Sequence, residues 1–322
     1  MKSLQGQTFT DFEAIMVDDG SADGSGSICR SYAACDKRFH YIRQENSGVS
    51  ATRNRGIREA TAEYITFLDS DDWYSDDYLQ KFYALIHEDP SCGHFWCGYE
   101  VISDRPEGNG QIVRTDRQET VADLDRSEIM TLHDQMLLAP VWNKVFRRDV
   151  IAEFDLRMPE DLSLGEDLLF NFAYLDHCKD TRIRMLNEGI YKYYAVSVGS
   201  LNKKYRSDLR DIYIRLSEEI YRYLSRWPLK PDQMERYYRA VRHMLVRAME
   251  NTFSPMNNMS SRGKLSYNNQ IMRSKLFQEA VEQTKSSIHP LRRAAFWLGD
   301  YRAVQLVERV SAKKNHIFKK GR

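Results

Sequence analysis

Acidic residues gather at three places in this chain, each beside a short apolar run. Asp18-Asp19 follows Phe12 to Val17 (FEAIMV), Asp69-Ser70-Asp71-Asp72 follows Tyr64 to Leu68 (YITFL), and Glu166-Asp167 precedes LLFNF. Carboxylates this close repel one another unless a hard cation or a donor-rich ligand joins them. Alternating acids on an extended segment suit Mg2+ or Mn2+, held by one or two carboxylates with substrate phosphates completing the shell. The plain alternative is helix capping, with Asp72 or Ser75 as N-cap of a helix near 76. Two clusters at strand ends favour the ligand-binding reading. Acids in a first helical turn are favoured by the helix dipole. A carboxylate held there can also take a proton from a hydroxyl.

Between the first two clusters lies Gln44 to Gly56 (QENSGVSATRNRG). A Gly at a strand-to-helix turn, followed by a helix N-terminus, can offer backbone N–H groups to an anion. Arg53 and Arg55 would add charge there, or would simply lie on a solvated helix face.

These groups need a scaffold, and the pattern supplies one. Phe12–Val17 reads as a buried strand closed by Asp and Gly. A helix over about 26–36, a strand over 40–44, a helix over 49–61, a strand over 64–68, a helix over 76–87 and a strand over 95–102 follow. Strands alternating with helices predict a parallel, doubly wound α/β sheet. Ligands of such sheets bind beyond the carboxyl ends of the strands, where both strand-end acid clusters fall. Over about 103–160 the pattern weakens. Pro106 to Gly110 is a turn cluster, 142–146 a short strand, and a helix begins after Arg148. A helix over 164–178 and two short strands between Arg182 and Tyr194 complete this half. Beyond Leu201 the apolar residues recur at helical spacing, as in Leu209, Ile212, Leu216, Ile220 and Leu224. The rest reads as amphipathic helices broken near Pro228, Pro255 and Pro290.

Composition narrows the function class. The 322 residues are 42% hydrophobic and 29% charged, which suffices for about two packed domains and excludes dominant disorder. A net charge of +1 gives no chain-wide footprint for nucleic acid. No apolar run approaches the roughly 20 residues that span a bilayer. The five cysteines form no CxxC pair and read as reduced thiols. The N-terminus (MKSLQGQTFTDFE) has no apolar signal core. Together these predict a cytoplasmic compartment.

The segments VDDGSADGS, ENSGVSATRNRG, AEYITFLDSDDW, VWNKVF and GEDLLFN stand in this order. With them the chain resembles the family 2 glycosyltransferases of bacterial capsule, exopolysaccharide and lipopolysaccharide synthesis, over about residues 3 to 205. The resemblance implies a GT-A nucleotide-sugar fold, Rossmann-like and α/β, over 1–205, with a C-terminal helical region over 206–322. It implies an inverting transfer of a sugar from a nucleotide sugar, a UDP-sugar by preference, to a saccharide on a lipid carrier. Asp19, with Asp18, would contact base and ribose; Arg53 and Asn54 would shape the nucleotide pocket. Asp69-Ser70-Asp71 matches the DXD motif, with Asp71 the direct ligand of Mn2+ or Mg2+. Asp167, beside Glu166, matches the general base, and Trp142, Asn143 and Lys144 match a segment on the acceptor side.

Two departures stand out. Family members open with a strand of the type VSIIPVYN, whereas this sequence matches from near the end of the helix after it. The implied domain is therefore truncated at its N-terminus. The Arg that often precedes a Gly-Ser pair is Ala195 here, with Lys203, Lys204 and Arg206 the nearby cations. The first departure keeps a rival open: a catalytically impaired remnant acting as an interaction protein. A metal-dependent phosphohydrolase is a weaker rival, because it leaves GEDLLFN unexplained. Finally, Lys313, Lys314, Lys319, Lys320 and Arg322 surround Ile317 and Phe318, which predicts a weak peripheral contact with the inner face of the cell membrane.

Overall fold

A computed structural model describes residues 1–103, 110–195 and 205–307. Most of the expected turn cluster (106–109), the stretch 196–204 and the basic tail 313–322 lie outside the described residues. The chain divides into two compact units, one of residues 1–200 with 226–230 and one of residues 201–225 with 231–322.

The first unit runs α1 (Lys2–Gln5), β1 (Ala14–Asp19), α2 (Ser25–Cys35), β2 (Phe39–Gln44), α3 (Val49–Glu59), β3 (Tyr64–Thr66), β4 (Trp73–Tyr74), α4 (Tyr78–Glu88) and β5 (Phe95–Ser103). It continues through β6 (Gln111–Val113), β7 (Val121–Asp125), α5 (Ile129–Asp134), β8 (Lys144–Arg147), α6 (Arg148–Glu153), α7 (Glu166–His177) and β9 (Arg182–Ala195). The predicted alternation is present, but the single parallel sheet is not. β1 and β2 pair in parallel as a sheet of two. The other strands form a seven-stranded mixed sheet in the order β3-β8-β5-β9-β4, with β6 on β5 and β7 on β9. Among the described residues only β5 and β9 pair in parallel within it; the other pairings are antiparallel. The reason lies in the region that reads weakly from sequence. β8 enters antiparallel between β3 and β5, and no periodicity in so short a strand reveals its direction.

β9 also corrects the expectation of two short strands. It is one strand of 14 residues, and its register against β5 slips on both sides of Gly98. Asn187-Glu188-Gly189 lies at that irregularity within the ladder. The Asn187 Oδ1 accepts the Thr115 hydroxyl at 2.8 Å, and its Nδ2 donates to the Glu119 carbonyl at 2.9 Å. Gly98 has no room for a side chain, since a β-carbon there would stand 2.9 Å from the Glu188 carbonyl oxygen; one at Gly189 would be tight, 3.2 Å from Glu100.

Behind the site, Ile65, Val141, Phe146, Ile151, Phe170 and Tyr174 form a buried cluster joining β3, β8, α6 and α7. The five cysteines are free thiols.

The second unit contains α8 (Leu209–Leu224), α9 (Gln233–Asn251), α10 (Ser261–Arg273), α11 (Lys275–Gln283) and α12 (Pro290–Trp297). The apolar stripe read from the sequence is its inner face: Leu209, Ile212, Leu216, Ile220 and Leu224 are buried. The Tyr237 hydroxyl donates to the Ser217 carbonyl at 2.9 Å, and Phe277 meets Phe296 edge-on at 5.2 Å. Among the described residues, no helix is long and apolar enough to cross a membrane.

Candidate active site

The site is built around Arg53, one turn into α3. Its Nη1 donates to Asp167 Oδ1 at 2.6 Å and its Nη2 to Asp69 Oδ1 at 2.8 Å, with Glu166 Oε1 at 4.0 Å. One guanidinium thus ties the turn after β3 to the first turn of α7, which lies 114 residues from Arg53 in sequence. Gly165, with φ 87°, sets the entry to α7, a conformation that favours glycine. Glu166 and Asp167 then occupy the helix start. Burial raises the Asp167 carboxyl, Arg53 opposes it, Glu166 and Asp69 add to the rise, and the result is a pKa of about 7. Arg53 itself loses by burial but gains more from Asp167 and Asp69, and stays firmly charged.

Asp69 and Asp71 sit on the turn between β3 and β4. Asp69 is half-buried and Asp71 exposed. Asp72 points inward: Oδ2 accepts the Tyr191 hydroxyl at 2.6 Å and Oδ1 the Tyr194 amide at 2.7 Å. Burial outweighs those two bonds and lifts its carboxyl to about 6. Asp72 therefore locks the turn onto β9 rather than extending the exposed pair. Among the described residues, no group of three or more His, Cys, Asp or Glu is placed to hold a metal. Asp69 is already engaged by Arg53 through Oδ1, while Asp71 stands exposed beside it. They do not fit a preformed cage.

Asp18 and Asp19 diverge at the end of β1. Asp18 is buried against α2, where Oδ2 accepts the Tyr41 hydroxyl at 2.7 Å and Oδ1 the Ser21 amide at 2.8 Å. The Tyr41 hydroxyl, then Ser21, hold its carboxyl at about 2. Gly26 makes that approach feasible, since a β-carbon there would stand 2.7 Å from Asp18 Oδ2. Asp19 faces the other way. Its oxygens accept Gln44 Nε2 at 2.8 Å and the amides of Ser47 and Gly48 at 2.8 and 2.9 Å. The turn before α3 does present N–H groups to an anion, and that anion is the chain's own Asp19. Arg55 pairs with Glu59 at 2.7 Å on the solvated face of α3.

Asn54, next to Arg53, faces the protein interior. Its Nδ2 donates to the Met158 carbonyl at 2.9 Å and to Glu160 Oε1 at 3.0 Å, while its Oδ1 accepts the Met158 amide at 2.9 Å. It anchors α3 so that Arg53 faces the acids. Asn143 and Lys144 are buried as well, at 0% and 1% exposure. The Lys144 ammonium donates to the Leu137 carbonyl and to Asn143 Oδ1, each at 2.8 Å, and to the Pro140 carbonyl, with the Trp96 ring 4.2 Å away. Asn171, one turn beyond Asp167 on α7, donates to the carbonyls of Leu138, Ala139 and Pro140 at 2.8 to 3.1 Å. VWNKVF and GEDLLFN thus converge on the 137–140 loop. Asn143 and Lys144 build the buried wall behind the site and present no surface to solvent. Trp142 is buried and stacks on Tyr191 and Tyr193, with ring centroids 4.1 and 5.6 Å apart. Tyr193 is the exposed member of that trio.

Sequence reasoning misses Tyr41, Asn171 and Tyr191. Asn171 is signalled by its i+4 spacing from Asp167 on one helix; the two tyrosines carry no signal, since their partners are distant in sequence.

The family profile described as glycosyl transferase family 2 matches residues 1–153. Residues 1–153 are thus a glycosyl transferase family 2 domain. EpsH of Bacillus subtilis, named as a putative glycosyltransferase, is 28% identical over 99% of this chain and 91% of its own length. EpsJ of the same organism, named as an uncharacterised glycosyltransferase, is 32% identical over 59% of this chain. The chain spans only 55% of EpsJ. Among solved structures, TarS residues 1–349 of Staphylococcus aureus in complex with UDP-GlcNAc is 20% identical, with a TM-score of 0.70 over 97% of this chain and 86% of that one. That likeness identifies the fold as GT-A-like. Arg53, Asp69 and the turn between β2 and α3 that Asp19 caps all lie inside the span that the family profile matches, whereas Asp167 lies beyond it.

Proposed function

We propose that this glycosyltransferase moves a sugar from a UDP-sugar to a saccharide acceptor on a lipid carrier, with inversion, in the assembly of a cell-surface polysaccharide. The observation that carries the reading is the convergence of Asp69 and Asp167 on Arg53. It puts the strand-end acid of the donor side and a helix-start carboxylate on one guanidinium. Asp167 is the general base. A carboxyl titrating near 7 is matched to accepting a proton from a hydroxyl at neutral pH. Arg53 orients it and keeps part of it ionised. Asp69 and Asp71 would hold Mn2+ or Mg2+, which when bound offsets charge on the departing diphosphate. Asp18 and Asp19 shape the turns on the base and ribose side. The TarS complex with UDP-GlcNAc and the teichuronic acid name carried by TuaG of Bacillus subtilis, 36% identical over 31% of this chain, support the donor class and the polysaccharide setting.

The test is a donor screen that measures nucleotide release with saccharide acceptors, with and without Mn2+, for the wild type and Asp167→Asn. Release that falls about 100-fold or more in the variant, with donor affinity kept, is the expected outcome. Glu166→Gln is the control; near-normal transfer by Asp167→Asn would move the base to Glu166 or elsewhere. A second reading, a non-catalytic interaction protein, is favoured by one feature: β1 and β2 hydrogen-bond to each other and not to the seven-stranded sheet. No donor binding by the wild type in that screen would favour it.

A further inference from the structure

α12 is apolar on both faces. Ala295 and Phe296 are buried inside the helical unit, while Leu291, Trp297 and Leu298 are 58%, 76% and 63% exposed. At about 100° per residue Leu291, Ala294, Trp297 and Leu298 form one outward stripe, with Arg293 exposed at its border. The helix is held in place rather than frayed. Phe296 packs on Phe277, and the Gly299 carbonyl accepts Arg273 Nε at 3.1 Å. Gly299, with φ 63°, turns the chain so closely on Arg273 that a β-carbon there would stand 2.8 Å from Arg273 Cγ. Leu306, 64% exposed, follows in the same segment.

A globular helix buries its apolar stripe, so an outward one needs an occupant. Charge says which. Residues 290–322 hold nine Lys or Arg against two acids, whereas the whole chain is only +1; the rest of the chain is therefore net acidic. A tryptophan and leucines bordered by arginine, in a locally cationic part of a chain without a spanning helix among its described residues, match an anionic bilayer surface. We propose that the outer face of α12, centred on Trp297 and Leu298, docks the protein on anionic membrane lipid. The proposal stands independently of the catalytic reading.

The experiment is co-sedimentation of the full chain with phosphatidylcholine vesicles and with vesicles containing phosphatidylglycerol, at about 0.1 and about 0.5 M salt. The comparison set is Trp297→Ser/Leu298→Ser, Arg293→Gln and a chain ending at Ala312. Circular dichroism confirms that the variants are folded. The expected result is salt-sensitive binding to the anionic vesicles only. The Trp297→Ser/Leu298→Ser variant should lose about tenfold or more, and Arg293→Gln about fivefold. Brominated lipid should quench fluorescence in the wild type and not in Trp297→Phe. Equal sedimentation of wild type and Trp297→Ser/Leu298→Ser overturns the proposal. So does loss seen only on truncation at Ala312, which would assign the contact to the tail. A wild-type dimer that Trp297→Ser/Leu298→Ser converts to monomer, without vesicle binding, would make the stripe a protein interface and also overturn it.

Discussion

Replacing Asp167 with Asn should stabilise the protein while disabling it, and the gain should depend on pH. Asp167 is mostly buried and its carboxyl titrates near 7 in the folded chain, against an ordinary 3.8. A group whose folded pKa is raised favours the folded state fully below its unfolded pKa. That favour is lost as pH climbs through the folded value. Between pH 3.8 and 7 the unfolded chain therefore sheds this proton more readily than the folded one, and stability falls. At about 1.36 kcal/mol per pKa unit, the full difference is about 4 kcal/mol above about pH 7. It should shrink to under about 1 kcal/mol at about pH 4 by the same relation. Asn mimics the protonated form and escapes the loss. The assay is thermal unfolding of the wild type and Asp167→Asn from about pH 4 to about pH 8. With about 2–4 °C per kcal/mol for a unit of this size, the variant should melt about 10 °C higher at about pH 8 and close to the wild type at about pH 4. A variant that melts lower than the wild type at the alkaline end refutes the reasoning. It would show that the 2.6 Å contact with Arg53 outweighs burial and keeps Asp167 an ordinary, fully ionised carboxylate.

Gly26→Ala should cost about 1–3 kcal/mol by crowding, because its β-carbon meets Asp18 Oδ2 and the Tyr41 hydroxyl; urea unfolding in a Tyr41→Phe background should show a smaller loss. Lys144→Met should cost about 1–3 kcal/mol, since Asn143 Oδ1 loses its buried donor and the Leu137 and Pro140 carbonyls each lose one of two; a neutral outcome in the same assay would mean that the 137–140 loop holds without it. Asp71→Ala should abolish Mn2+-dependent binding of uridine diphosphate, measured by titration calorimetry, with the melting temperature unchanged, because Asp71 is exposed; retained binding would remove Asp71 from the metal site.

How much is legible in the chain depends on how local the cause is. Strand and helix positions before residue 103 follow from short apolar runs closed by Asp and Gly, and the structure keeps them within a few residues. Gly165-Glu166-Asp167 announces a helix start for the same local reason. β9 reads as two strands, and only pairing with β5 makes Asn187-Glu188-Gly189 an irregularity in one ladder.

The amino acids in order reveal which chemistry is available: acids after two strands, an acid pair at a helix start, and an arginine after a glycine turn. Each depends on contacts within a few residues, which propensity and capping govern. Which partner each group takes is a product of the packed chain. Asp19 goes to the Ser47 and Gly48 amides, Asp72 to Tyr191, and Asp69 and Asp167 to one guanidinium. Those contacts join residues 16 to 119 positions apart. They turn on burial, because a polar group withdrawn from water must find a partner, and the partner is whichever residue the fold delivers.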